Sequence, residues 1–137
     1  MSDFSSEHEQ GLALFISPEW RARFRESLEN ERLRKKVLFK LDHFSHLDSR
    51  FREMVPRAQQ RSEFLLPLLR QYGAPRRCYV MSNVSALDGC ELSLADALTR
   101  VVDDECGSGT FISCLPGKLA YFHDEEQENR WILRRPD

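Results

Sequence analysis

The stretch Asp42-His43-Phe44-Ser45-His46-Leu47-Asp48 has the residue types of a metal site. His43 and His46 are three apart, so on a helix they would share a face. Asp42 or Asp48 could add an oxygen ligand, and imidazole with carboxylate is a zinc-like donor set. No HExxH pattern accompanies them, and His8 and His123 lie far off in the chain. A helix–turn–helix joint explains the same letters: Phe44 and Leu47 pack, Asp48 caps, and the histidines face water or the helix ends. The sequence favours the joint, so neither a metal nor a cofactor is expected.

The run GTFISCLPGKLAYF, Gly109 to Phe122, sets Cys114, Pro116-Gly117 and Lys118 within five residues. A phosphate cradle needs GxxxxGK[ST], but here the lysine follows Pro-Gly and precedes Leu119. A nucleophile elbow needs GxSxG between strand and helix, whereas this run reads as strand to strand. Cys114 as nucleophile would need an imidazole brought from elsewhere. Pro116-Gly117 instead fits the centre of a type II turn, with proline fixing φ at the first position and glycine accepting positive φ at the second. Setting Leu115 opposite Lys118 puts Ile112, Cys114, Leu119 and Tyr121 on one face of the hairpin. Phe111, Ser113, Ala120 and Phe122 fall on the other. Type II is not the favoured two-residue hairpin turn, so a longer loop with shifted register is the alternative.

A third feature is cationic. On a helix Arg21, Arg25, Arg32 and Lys36 fall within about 60° of one another, with Phe39 beside them. An arginine row next to an aromatic is the minimal footprint of phosphate or nucleic-acid contact. Glu26, Glu29 and Glu31 dilute it, and a pI near 6.1 argues against a dedicated nucleic-acid binder. A protein partner, a second copy of this chain included, and an ordinary solvated surface partly paired with the acidic C-terminal half fit the stripe equally well, ahead of nucleic acid. The acidic run Asp124-Glu125-Glu126 with Glu128 lacks the spacing and central glycine of a calcium loop. It reads as a solvated turn. Asp103-Asp104-Glu105 stands at a helix C-terminus, where negative charge is mildly unfavourable.

These residues need elements to hold them. The chain has 137 residues, 41% hydrophobic and 31% charged. That is a globular composition, and no apolar run approaches the roughly 18 residues of a membrane span. Cys78, Cys90, Cys106 and Cys114 are separated by 12, 16 and 8 residues, without a CxxC pair. With no secretory signal, free thiols and a cytoplasmic location are expected, with Cys78 and Cys114 as core residues. Residues 18–77 carry 15 basic and 8 acidic side chains, residues 78–137 carry 5 and 11.

Residues 1–16 read as a flexible segment, followed by a single α+β domain over 17–137. Its helical part spans 17–73 and its β-α-β-β-β part 78–135. Ser17-Pro18 opens a helix, and Trp20, Phe24 and Leu28 form its apolar stripe. The stripe changes side near Asn30, which implies a kink there or two packing partners. Capping-box spacing at Ser45–Asp48 predicts a new helix near Ser45. Another is expected from about Arg57 to Tyr72, kinked at Pro67 and stopped by Gly73. Strands are expected at 78–82, on both arms of the hairpin and at 130–134, with a helix capped by Ser93. The fold class is therefore α+β: a helical N-terminal half packed on a small, mainly antiparallel sheet of about four strands, with one additional helix. A sheet with one face in water alternates polar and apolar residues. This hairpin is apolar on both faces, so the helix after Ser93 should cover one and the N-terminal half the other. The function these features favour is a non-enzymatic binding module acting through protein contacts. Nucleic-acid association and a small metal- or cysteine-dependent enzyme are the alternatives.

Overall fold

A computed structural model describes residues 3–136. At its centre is a six-stranded antiparallel sheet in the order β1-β6-β5-β4-β2-β3. The strands are β1 (Arg52–Met54), β2 (Arg77–Ser82), β3 (Glu91–Ser93), β4 (Thr110–Leu115), β5 (Leu119–His123) and β6 (Trp131–Arg134). The helices are α1 (Asp3–Leu12), α2 (Pro18–Leu28), α3 (Glu31–Phe39), α4 (Ser62–Gln71) and α5 (Leu94–Leu98). The α+β class holds. The edge strands β1 and β3 extend the expected sheet.

The hairpin has the expected faces. Phe111 pairs with Phe122, Ile112 with Tyr121 and Ser113 with Ala120. Gly117 takes φ 71, and the Lys118 N–H closes the turn on the Leu115 carbonyl at 3.0 Å. Near the turn a register shift between Ser113 and Leu115 sets Leu115 opposite Leu119. A bulge lets the strands twist into a turn that a flat two-residue loop would splay.

Both faces are covered. Cys78, Val80, Ile112, Cys114, Tyr121 and Ile132 pack under α4 and α5. Tyr79, Met81, Phe111, Ala120, Phe122 and Leu133 pack against Leu12, Phe15, Phe24, Leu28, Leu41 and Phe44. The helical half is thus divided: α1 to α3 lie over one face, whereas α4 joins α5 on the other. The chain breaks where the stripe changes side, and the Asn30 side chain caps α3 by accepting the Leu33 N–H at 3.1 Å. Ser93 caps α5 as its spacing predicts, accepting from Asp96 N–H at 3.1 Å.

Three expectations differ from the structure. Residues 1–16 read as a flexible segment, but from Asp3 onward they form α1 and a 3-10 turn with buried His8, Glu9, Gly11 and Leu12. A Cβ on Gly11 would lie 2.5 Å from the Gly117 nitrogen, so only glycine lets α1 sit against the Pro-Gly turn. The helix expected from Ser45 is absent as well. Asp48 accepts from its near neighbour Arg50 through both the backbone N–H (3.0 Å) and the guanidinium, while its own N–H donates to the Phe15 carbonyl at 2.7 Å. Those bonds replace the first helical turn and send the chain to the sheet edge as β1. The helix expected from Arg57 begins as a separate 3-10 turn, and α4 starts at Ser62. Its first N–H is met at 2.9 Å by Asp103, which accounts for an acid that is unfavourable on its own helix.

His123 adds a pH dependence. It is buried at the end of β5 with Nδ1 2.7 Å from the Tyr121 hydroxyl. Burial, helped by Arg130 and opposed by Asp124, pushes its imidazole down to about 3. The unfolded chain takes up this proton near the ordinary 6.5. Stability is therefore full above that value and is lost as pH falls toward 3, by up to about 1.4 kcal/mol per pH unit. Urea unfolding at pH 7 and pH 5 should differ by about 2 kcal/mol from this residue. His123→Gln should remove that part; buried His8, shifted in the same direction by burial, supplies a further part. An unchanged pH slope in His123→Gln would contradict it.

Candidate functional site

The break at Asn30 sets α2 and α3 side by side, and the chain from Leu41 to Leu47 closes the space at one end. The result is an open groove of about 520 Å³. Its floor is apolar, from Ile16, Trp20, Phe24, Val37 and Phe44, and Leu33 stands at its mouth. Around it stand Arg23, Lys36, Lys40, His43 and His46, with Glu26 as the acid in the lining. Arg23 lies over the Trp20 ring at 5.4 Å, and His46 lies tilted against the same indole at 4.5 Å. Beside the groove α3 exposes Phe39 (77%) and Leu33 (39%) to water.

The cationic stripe is redistributed by this geometry. Arg21 turns inward, donating to the Ala13 and Ile16 carbonyls at 3.2 and 3.1 Å and lying 3.7 Å from Asp48. It ties α2 to the preceding chain. Arg25 remains exposed on α2, and Arg32 and Lys36 are exposed on α3. Of the four cations Lys36 lines the groove, joined by Arg23 and Lys40, which lie off the stripe. A helix-wheel reading carried across Asn30 could not find that set.

One wall of the groove is held by a buried polar network that sequence spacing does not reveal. Arg34 donates to Glu9 Oε1 at 3.0 Å and Oε2 at 2.6 Å, and to Asp88 Oδ2 at 2.7 Å and Oδ1 at 2.8 Å. The Tyr79 hydroxyl donates to Glu9 Oε2 as well. Glu9 is 1% exposed, and Asp88 also accepts the Ser82 N–H at 3.1 Å. The bonds to Asp88 and Glu9 raise the Arg34 pKa further above its ordinary value. Three chain segments, α1, α3 and the turn before β3, meet on this one guanidinium.

The buried cysteines and the Ser113–His8 pair are poorly placed for nucleophilic chemistry. Burial pushes the Cys78 thiol up to about 12 and shifts Cys114 in the same direction, away from the thiolate that reacts. Ser113 Oγ and His8 Nδ1 are 2.6 Å apart, the spacing of a nucleophile and its base. Both are closed to substrate, at 1% and 4% exposure, where α1, which carries His8, covers Ser113 of β4. The histidines of the Asp42–Asp48 stretch do not converge: His46 packs against Trp20, while His43 turns toward Asp124 and Glu126. The acidic turn is solvated at Glu125, Glu126 and Glu128, but Asp124 is buried.

Comparison with protein-family models, characterised proteins and solved structures finds no match to this chain. Among the described residues no helix is long and apolar enough to cross a membrane.

Proposed function

We propose that the protein is a non-enzymatic, cytoplasmic binding module that docks an acidic amphipathic helix of a protein partner in the groove between α2 and α3. The observation that carries this is the pairing of an apolar floor with a rim of Arg23, Lys36 and Lys40 against one acid, Glu26. A helix laid in such a groove buries residues at i, i+3, i+4 and i+7 and points its polar flank at the rim. Acidic residues on that flank would find complementary charge, which favours the encounter and fixes orientation. Exposed Phe39 and Leu33 extend the apolar contact along α3. The free cysteines fit a reducing compartment.

A photo-crosslinking residue placed at Leu33, in the groove, tests this against one at Phe64, which is exposed on α4 across the sheet. The Leu33 probe should capture a protein segment with acidic residues and helical apolar spacing. Lys36→Glu/Lys40→Glu should reduce capture about tenfold, two contacts of roughly 0.7 kcal/mol each being lost. Arg25→Glu/Arg32→Glu, outside the groove lining, should leave it unchanged. Equal capture from Leu33 and Phe64, or indifference to the Lys36/Lys40 reversal, would refute docking in the groove. Capture of RNA instead would move the reading to nucleic acid.

A further inference from the structure

The corner after α3 meets the turn after β5, and there the geometry points to a mononuclear site for a zinc-type divalent cation, formed by His43, Asp124 and Glu126. His43 stands at φ 58, a left-handed conformation uncommon for a residue other than glycine. Its Nδ1 is 3.2 Å from Glu126 Oε1 and 3.8 Å from Asp124 Oδ2. Ligand atoms of all three residues lie within 4.8 Å of one another. Two donors each about 2.0–2.1 Å from a tetrahedral zinc are about 3.4 Å apart. Both histidine distances are close to that value, so one ion could engage the three side chains with small rotamer adjustments.

A second observation is independent of those distances. Asp124 is 0% exposed, yet its carboxylate has no Arg or Lys ion pair among the described residues. Its hydrogen bonds come from neutral groups: the backbone N–H of His43 (3.1 Å) and of Glu125 (2.9 Å), and the Asn129 amide (2.9 Å). The nearby guanidinium of Arg130 donates to the Asp124 carbonyl oxygen rather than to the carboxylate. Buried carboxylates are normally paired with a cation or coordinate a metal. The side chain that faces Asp124 is the imidazole of His43, itself 57% exposed.

The surroundings have the form of an outer shell. Asn129 donates to Asp124 Oδ2 and, through the same nitrogen, to the Phe44 carbonyl at 3.1 Å. It thereby fixes the carboxylate against the segment that carries His43, as outer-shell partners do for metal ligands. One imidazole with two carboxylates suits zinc and neighbouring first-row ions, whereas magnesium and calcium take oxygen donors. Three protein ligands, two of them solvent-accessible, leave a coordination position open to water. The site shares His43 with the groove edge but does not depend on what the groove binds.

Calorimetric titration with zinc chloride tests the site in a Cys90→Ser/Cys106→Ser background, so that the accessible thiols cannot take the ion. One zinc per chain is expected, with magnesium and calcium at least 100-fold weaker. His43→Asn tolerates the left-handed backbone, and Glu126→Gln alters a solvated group, so both should keep the fold. Each should weaken zinc at least 30-fold, since loss of an outer-shell partner alone costs about 10–100-fold. His46→Asn should leave zinc binding unchanged. Sub-stoichiometric uptake, calcium binding as tight as zinc, an unaltered affinity in His43→Asn, or an equal loss in His46→Asn would each overturn the assignment.

Discussion

Residues 75–137 expressed alone should not fold. The fragment keeps β2 to β6 and α5 but loses α1, α2, α3, α4 and β1. Tyr79, Met81, Phe111, Phe122 and Leu133, which pack against the N-terminal segments, would face water on one side of the sheet. At roughly 2 kcal/mol for each large side chain, that is about 10 kcal/mol. A whole domain is stable by only about 5–15 kcal/mol. The opposite face would also lose Leu65 and Leu69 of α4. Expression should give an aggregate, or a compact state without dispersed amide resonances. A monomeric fragment with a well-dispersed spectrum would show that the sheet does not need its N-terminal cover. Co-expression with residues 1–74 should restore solubility if the loss is one of packing.

That expectation rests on a hairpin whose two-sided character is legible in the sequence. Alternation in 111–114 and 119–122 with apolar residues at nearly every position cannot satisfy a half-wet sheet, and Pro116-Gly117 fixes where it turns. The edge strands were not legible, because β1 and β3 have three residues each and show no usable period. They exist because β6 and β2 offer them a ladder. Capping spacing at Ser45–Asp48 misled for a related reason: the acid that would have capped a helix is held by Arg50 instead. The docking of α1 is hidden because it buries His8, Glu9 and Gly11, residue types that apolar patterning does not flag. The run Leu12–Ile16, apolar throughout, was the available signal for a buried segment there.

The candidate sites divide in the same way. A basic helical region with nearby aromatics was legible, and α3 does carry exposed cations beside Phe39. Which cations share a surface was not, since Asn30 breaks the helix and Arg21 is turned onto backbone carbonyls. His43 was visible as a donor of metal-ligand type, but its neighbours Asp124 and Glu126 are some eighty positions away. The pairing of β5 with β6 forms that turn, and the bonds from His43 N–H to Asp124 and from Asn129 to the Phe44 carbonyl hold it against the corner after α3. Local spacing tied His43 to His46 instead, and His46 is taken up by Trp20.

Replacing Arg34 by methionine should cost about 3–5 kcal/mol, as removal of one partner from a buried ion pair does. The loss falls on Glu9, which among the described residues keeps only the Tyr79 hydroxyl at a site almost closed to water. Asp88, partly exposed, can recover solvent and contributes less. In Glu9→Gln/Arg34→Met the charge is gone while an acceptor for Tyr79 remains, so most of the loss should be recovered. Urea midpoints of the two variants separate an unpaired charge from a simple loss of packing: equal instability would favour packing. A local effect should accompany the global one. No residue of α3 is fully buried, and Val37 and Leu38 are its half-buried apolar contacts with the core. Arg34 is thus the principal polar anchor of a helix that forms one wall of the groove. Amide exchange over 31–39 should accelerate in Arg34→Met more than in α2, whose Phe24 and Leu28 are buried. If α3 and α2 exchange alike, the anchor is not what positions the wall. If α3 alone loosens and capture through Leu33 falls with it, the width of the groove is set by a guanidinium shared between α1 and the turn before β3.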